Sequence, residues 1–322
     1  MPQNESISVL IPIFNEEVNL PPLLEQLLGV MDSVGNPFEI ICINDGSTDE
    51  SQSVLDLMAF RNNNIKIIQL ARNFGQTAAI MAGVDRAGGD IIIALDADMQ
   101  NDPKDIPALL DKLHEGYDLV SGWRRKRKDS AIRRNFLSTV ANSIISKVSG
   151  LHLHDYGCTL KAYRSSFLKR IKLYGEMHRF IPIYIHWAGG KVTEMEVQHH
   201  PRNHGVSKYG MERIFKVIMD LFVIYFMSGF ANKPIYFFGA LGLGNIFGSF
   251  LAAIYAVYRK IYMGDSFIMT PLPMLSIMLL VLGIMFIMMG LIADMQMRTY
   301  HESQNKPVYF ISKTVNFTDD QD

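Results

Sequence analysis

The chain has 322 residues, with 31 Lys and Arg against 32 Asp and Glu and a formal net charge of -1. That balance excludes a general nucleic-acid binder, and the two cysteines, Cys42 and Cys158, supply neither a disulfide framework nor a zinc spacing and fit a reducing compartment. The length accommodates a full α/β domain and leaves about a third of the chain for a second unit.

Taken in chain order, Met1 to Ser6 lack the basic and apolar regions of a signal peptide, so the N-terminal part is expected to remain in the cytoplasm. Strands are predicted at Ile7 to Ile13, Phe38 to Ile43, Ile65 to Leu70, Asp90 to Leu95 and Tyr117 to Ser121, all short apolar runs rich in β-branched residues. Helical patterns alternate with them at Leu20 to Val34, Glu50 to Phe60, Thr77 to Ala87 and Lys104 to Glu115. The alternation predicts an α/β fold with a mostly parallel sheet and helices on both faces. Neither a Gly-x-Gly-x-x-Gly fingerprint nor a Walker loop is present.

In such sheets ligands sit beyond the carboxyl ends of the strands. The first strand ends in Pro12-Ile13-Phe14-Asn15-Glu16-Glu17 and the second in Asn44-Asp45-Gly46-Ser47-Thr48-Asp49, where Asp49 can cap the next helix. The fourth ends in Leu95-Asp96-Ala97-Asp98-Met99-Gln100. Two acids two positions apart, with an oxygen donor two further on, suit Mg²⁺ or Mn²⁺ carrying a substrate phosphate. Each loop alone is explained by turn chemistry. Converging on one crevice, they make a site for a base, a ribose and a pyrophosphate.

Farther along, Arg124-Arg125-Lys126-Arg127-Lys128, Arg133 and Arg134 form a basic stretch, and Met211 to Phe222 has charges at helical spacing. The latter reads as an amphipathic helix lying on a membrane surface, within a region spanning 209–232. Pro234 to Tyr258 and Pro271 to Ala293 carry no charged residue and are each long enough to cross a hydrocarbon core of about 30 Å. Gly244-x-x-x-Gly248 is a signal that could bring the two spans together. Lys233, Arg298, Lys306 and Lys313 favour cytoplasmic ends, whereas Arg259 and Lys260 oppose that orientation. In the tail after residue 295, the strand-like Pro307-Val308-Tyr309-Phe310-Ile311 leaves two readings open: pairing with a neighbouring subunit, or a tail without fixed structure.

The set Ile11 to Glu17, Asn44 to Asp49, Arg72-Asn73-Phe74-Gly75-Gln76 and Leu95 to Gln100 resembles the glycosyltransferases of family 2, which have the GT-A fold. Within them the chain is similar to the polyprenyl-phosphate sugar transferases, with a catalytic domain over 1–208, two spans within 233–294 and a cytoplasmic tail over 295–322. The resemblance implies a membrane-anchored, inverting transfer of a hexose from a nucleotide sugar, UDP-glucose being the expected donor, to undecaprenyl or dolichyl phosphate. It places Pro12, Phe14, Glu16 and Asp45 around the nucleotide, with Phe14 where the family often has Tyr. Asp96, Asp98 and Gln100 fall at the metal and diphosphate. Arg202 and Lys208, in Arg202-Asn203-His204-Gly205-Val206-Ser207-Lys208-Tyr209, match a family segment associated with phosphates.

Arg124, in Gly122-Trp123-Arg124, and Arg134 with Ser138 match positions that receive the lipid phosphate, leaving Arg125 to Lys128 for attraction to anionic headgroups. Asp155 matches an acidic position near the acceptor, where it either orients sugar or phosphate or caps a loop. The implied partners are a nucleotide sugar, a polyprenyl phosphate, the bacterial plasma membrane and further copies of the chain. Two other classes are the alternatives: a processive polysaccharide synthase, which usually carries a Gln-x-x-Arg-Trp motif absent here, and a lipid-linked-sugar flippase or scaffold with a degenerate transferase domain.

Overall fold

A computed structural model describes residues 5–125, 145–146, 149–171, 173, 177–200, 234–264, 266–268, 270–303 and 309–317. The expected interfacial helix over 209–232, and Arg134, Ser138, Arg202 and Lys208, lie outside the described residues. Two compact units result, Met1–Asp220 with Pro307–Asp322, and Leu221–Lys306.

The first unit opens as the sequence predicts: β1 (Ile7–Ile13), α1 (Leu20–Val34), β2 (Phe38–Asn44), α2 (Ser51–Arg61), β3 (Ile65–Leu70), α3 (Gln76–Arg86), β4 (Ile91–Ala94) and α4 (Ile106–His114), the last entered through a 3₁₀ turn at Pro103–Asp105. It continues with β5 (Leu119–Trp123), β6 (Lys161–Arg164), α5 (Ser165–Leu168), α6 (Ile181–Trp187) and β7 (Val192–Glu196). β5 begins two residues later than predicted because the left-handed Gly116 and the Tyr117-Asp118 pair form the turn out of α4.

With β8 (Ile311–Val315) at one edge, the sheet order is β7-β5-β6-β4-β1-β2-β3-β8, and β6 and β8 run antiparallel to the rest. β1 and β4 are buried on both faces, which explains their uninterrupted apolar sequences. Val9, Ile11, Ile91 and Ile93 face α1, α2 and α4, whereas Leu10 and Ile92 face α3, α5 and α6. Each buried Ile or Leu in these layers contributes about 1.5–3 kcal/mol.

β8 (Ile311–Val315) corrects both readings of the tail. It is ordered, and it pairs antiparallel with β3 of its own chain, Ile67 opposite Val315 and Leu70 opposite Ile311. Asn316 fixes its far end by donating from Nδ2 to the carbonyls of Ala59 and Ile65, at 3.0 and 2.8 Å.

Behind the sheet's carboxyl edge, buried His178 Nδ1 lies 2.8 Å from Thr77 Oγ1 at the start of α3. Burial, with the positive charges of Arg179 and Lys161 adding to it, pulls this imidazole down to about 3. A depressed base contributes stability that is complete above its unfolded value, about 6.5, and is lost as pH falls toward 3. His178→Gln keeps a partner for Thr77 without a titrating ring. The variant is expected to show a shallower fall of unfolding temperature between pH 7 and pH 4; identical slopes would remove His178 from the acid sensitivity.

The second unit is a helical hairpin, α7 (Pro234–Met263) and α8 (Leu272–Ser303). Phe237–Met263 and Leu272–Ala293 are long and apolar enough to cross a membrane, and only 11% of the most apolar window of each is buried within the protein. The helices do not meet at Gly244, which has nothing within reach of an added Cβ, and Gly248 makes only an ordinary contact. They meet at Gly242 and Gly283, where a Cβ on either would lie 2.7 Å from the other's carbonyl oxygen. Two turns further along, Ser249 Oγ donates to the Ser276 carbonyl at 2.7 Å and Ser276 Oγ returns a bond to the Ser249 carbonyl at 3.0 Å.

Candidate active site

The loops after β1, β2 and β3 are bound to one another at the carboxyl edge of the sheet. Asn15, held at a left-handed φ of 56°, accepts the Thr48 N–H on Oδ1 at 2.8 Å and donates its own N–H to Ser47 Oγ at 3.0 Å. Asp49 accepts the Ser51 N–H at the start of α2 from one residue before the N-cap, which is Glu50 rather than the expected Asp49, and also accepts the Glu17 N–H from the first loop. Glu16, Phe14 and Pro12 are half-buried at the mouth of this pair of loops.

Asp45 is buried, and its two oxygens accept the N–H groups of Phe74 and Gly75 at 2.7 and 2.9 Å. Burial outweighs these bonds and raises its pKa. Gly46 follows at φ 67°, where a Cβ would stand 2.5 Å from the Asn73 nitrogen. Only glycine allows the third loop to lie this close.

Asp96 and Asp98 are half-buried just beyond β4, and Met99 turns the chain sharply at φ 57°. Asp96 accepts from Gln76 Nε2 at 2.8 Å and from Thr159 Oγ1, and Asp98 Oδ1 accepts the Gln100 N–H at 3.2 Å. Desolvation, reinforced by the negative charge of Asp98, pushes the Asp96 carboxyl up to about 6. Two adjacent carboxylates, the charge of Asp98 raising the pKa of Asp96 and each oxygen of Asp96 retaining a second lone pair, fit a hard divalent cation. Among the described residues no third acidic, His or Cys donor joins them, so substrate oxygens would have to complete the coordination.

Across the same edge, Arg124 follows β5. Its Nε donates to Asp155 Oδ2 at 2.7 Å and an Nη to Oδ1 at 3.1 Å, with the Arg side chain 17% and the Asp side chain 3% exposed. Gly157 N–H also donates to Asp155 at 3.1 Å. Both Asp155 oxygens are therefore engaged in fixing Arg124 and the loop behind it. Gly122 permits this packing, since a Cβ there would lie 2.9 Å from Cys158 Sγ and the Leu160 carbonyl. Arg125, expected to serve membrane attraction, lies over the Trp123 ring and pairs with Glu196 at 3.3 Å.

Sequence reasoning missed three residues here. Gln76 and Thr159 hold Asp96 through its two carboxylate oxygens, Oδ1 and Oδ2 respectively. Buried Lys161 donates from Nζ to the carbonyls of Tyr156 and Cys158, anchoring the Asp155 loop, and its charge with that of Arg124 offsets the raised pKa of Asp96. Its position two residues after Thr159, within a strand-like run, was the available signal.

The sequence over residues 8–172 matches the model of glycosyl transferase family 2. The chain belongs to that family. Among its relatives, the dodecaprenyl-phosphate galacturonate synthase of Rhizobium johnstonii is 41% identical over 96% of this chain and 93% of its own. The undecaprenyl-phosphate 4-deoxy-4-formamido-L-arabinose transferase of Shewanella sediminis is 36% identical over 95% and 91%. Among solved structures, glucosyl-3-phosphoglycerate synthase of Mycobacterium tuberculosis, in complex with Mn²⁺, UDP and phosphoglyceric acid, shares the fold at a TM-score of 0.54, with 16% identity over 70% of this chain and 78% of that one. The family 2 fold predicted from the motifs is thus the fold observed.

Proposed function

We propose that this family 2 enzyme transfers a hexose from a nucleoside-diphosphate donor to a polyprenyl phosphate, inverting the anomeric carbon. The observation that carries the reading is the juxtaposition of the half-buried Asp96–Asp98 pair with the buried Arg124–Asp155 pair at one sheet edge, close enough for the charge of Arg124 to act on Asp96. One cluster suits a cation-bound diphosphate and the other an anionic acceptor. The apolar helices α7 and α8 and the names of the two relatives support a lipid acceptor.

On this reading Pro12, Phe14, Glu16 and Asp45 frame the nucleotide, Asp45 by bracing the Phe74–Gly75 loop. Asp96 and Asp98, with Gln100, would hold Mg²⁺ or Mn²⁺, which when bound neutralises charge on the departing diphosphate. Arg124, with Arg134 and Ser138, aligns the acceptor phosphate. That phosphate has a second pKa of about 6, so it attacks as an anion without a general base. Asp155 acts through Arg124 as a positioning residue. Arg202 and Lys208 stabilise the leaving group. Because β8 completes the sheet begun by β1, residues 309–317 share a compartment with the catalytic unit, and the chain crosses the membrane an even number of times. We take that compartment to be the cytoplasm, where nucleotide sugars are held.

Two sugars have specific support, glucose from the resemblance to the bacterial polyprenyl-phosphate glucosyltransferases and galacturonate from the name of the 41% identical relative, and both are proposed as UDP-sugars. Membranes containing the protein are to be incubated with undecaprenyl phosphate, Mn²⁺ or Mg²⁺, and radiolabelled UDP-glucose, UDP-galacturonate or GDP-mannose. Label is expected in the lipid phase with one of the UDP-sugars, and chelation of the metal is expected to abolish it. No lipid label with any donor would overturn the proposal.

A further inference from the structure

The segment after α8 reaches the nucleotide side of the catalytic unit. β8 runs antiparallel to β3, so its first residues lie beyond the carboxyl end of β3, at the edge where the donor loops sit. There the Phe310 carbonyl accepts the Ala71 N–H at 2.9 Å, and the Phe310 ring lies 6.2 Å from that of Phe74. Arg72 covers the Phe74 ring at 4.2 Å. Tyr309, buried beside α3, donates its hydroxyl to Asp85 at 2.7 Å. The loop held in this way, residues 71–76, delivers the two amides that engage Asp45, packs its backbone on Gly46 and begins α3 with Gln76, the donor to Asp96.

Phe310 nevertheless leaves 71% of its surface exposed, so little of the ring is buried in the core. Its contribution to folding is correspondingly small, whereas its contacts fall on the loop that braces the donor site. Such a ring-on-ring contact restricts the loop's freedom before ligand arrives, and restricting a binding loop raises affinity by lowering the ordering cost.

We propose that the C-terminal strand is a positioning element of the donor site, with Phe310 as its key residue: it fixes the 71–76 loop so that Asp45 and Gln76 are set for the nucleotide. The inference rests on the nucleotide-sugar reading above. It makes donor affinity depend on a segment that follows the membrane spans.

The test uses the full-length protein in lipid nanodiscs, titrated with UDP in the presence of Mn²⁺ by calorimetry and assayed for transfer. Phe310→Ala is expected to weaken UDP binding and raise the donor KM by about fivefold, the scale of one lost aromatic pair. The acceptor KM and unfolding temperature are expected to stay near those of the parent, and Phe310→Tyr to restore donor affinity. A parent protein that binds UDP beside a Phe310→Ala variant that binds it equally well would overturn the positioning role. So would an effect on kcat and acceptor KM without one on donor KM. A parent that binds no nucleotide would instead count against the proposed function.

Discussion

Asp98→Asn is expected to reduce sugar transfer by on the order of 10³-fold, the scale seen when one preorganised charge-stabilising group is removed from a transition state. The same variant is expected to be as stable as the parent, or more stable, when unfolded without divalent cations. The two outcomes diverge for one electrostatic reason. Asp98 raises the pKa of Asp96 by like-charge repulsion, so removing its charge relieves the folded state. Asn retains Oδ1 for the Gln100 N–H, and the turn at Met99 loses no acceptor. A structural acidic turn would give the reverse pattern, with transfer kept and the unfolding temperature lowered. Transfer within tenfold of the parent would remove Asp98 from the diphosphate site.

Most of the scaffold was legible in the sequence because β1 and β4 are apolar on both faces and β2 and β3 nearly so, and because α1 and α4 repeat their buried Leu and Ile residues at helical spacing. β6 and β7 were not. Lys161-Ala162-Tyr163-Arg164 and Val192-Thr193-Glu194-Met195-Glu196 are short and polar, and their pairing depends on strands distant in sequence. β8 was visible only as a strand-like run, displaced toward Pro307, because its partner is supplied by tertiary structure.

The site divides in the same way. Strand-end geometry gathers Phe14, Glu16, Asp45, Asp96 and Asp98 from the sequence alone. Which oxygen each carboxylate commits, and to whom, is decided by contacts such as Thr159 with Asp96, 63 residues apart, and Arg124 with Asp155, 31 apart. No local pattern encodes those distances.

Asp155→Asn and Arg124→Met are each expected to destabilise the catalytic unit by about 3 kcal/mol or more, because each leaves a buried charge without its counter-ion. For a domain of this size that corresponds to a fall of roughly 6–12 °C in unfolding temperature. The double variant Arg124→Met with Asp155→Asn is expected to recover most of that loss. A neutral pair in a buried site avoids the desolvation cost that the ion pair must offset, and Asn keeps an acceptor for the Gly157 N–H. Recovery of stability is not expected to bring back transfer, since the guanidinium that aligns the acceptor phosphate is gone in the double variant as in Arg124→Met. Thermal unfolding and lipid-phase transfer of the four proteins separate the two roles. A double variant that regained transfer with its stability would make the pair a structural staple. Single variants as stable as the parent would show that the pair is not buried as a unit. Stability restored without activity would mean that the fold accepts the cost of a buried ion pair at this position in order to hold a cation where the acceptor phosphate docks.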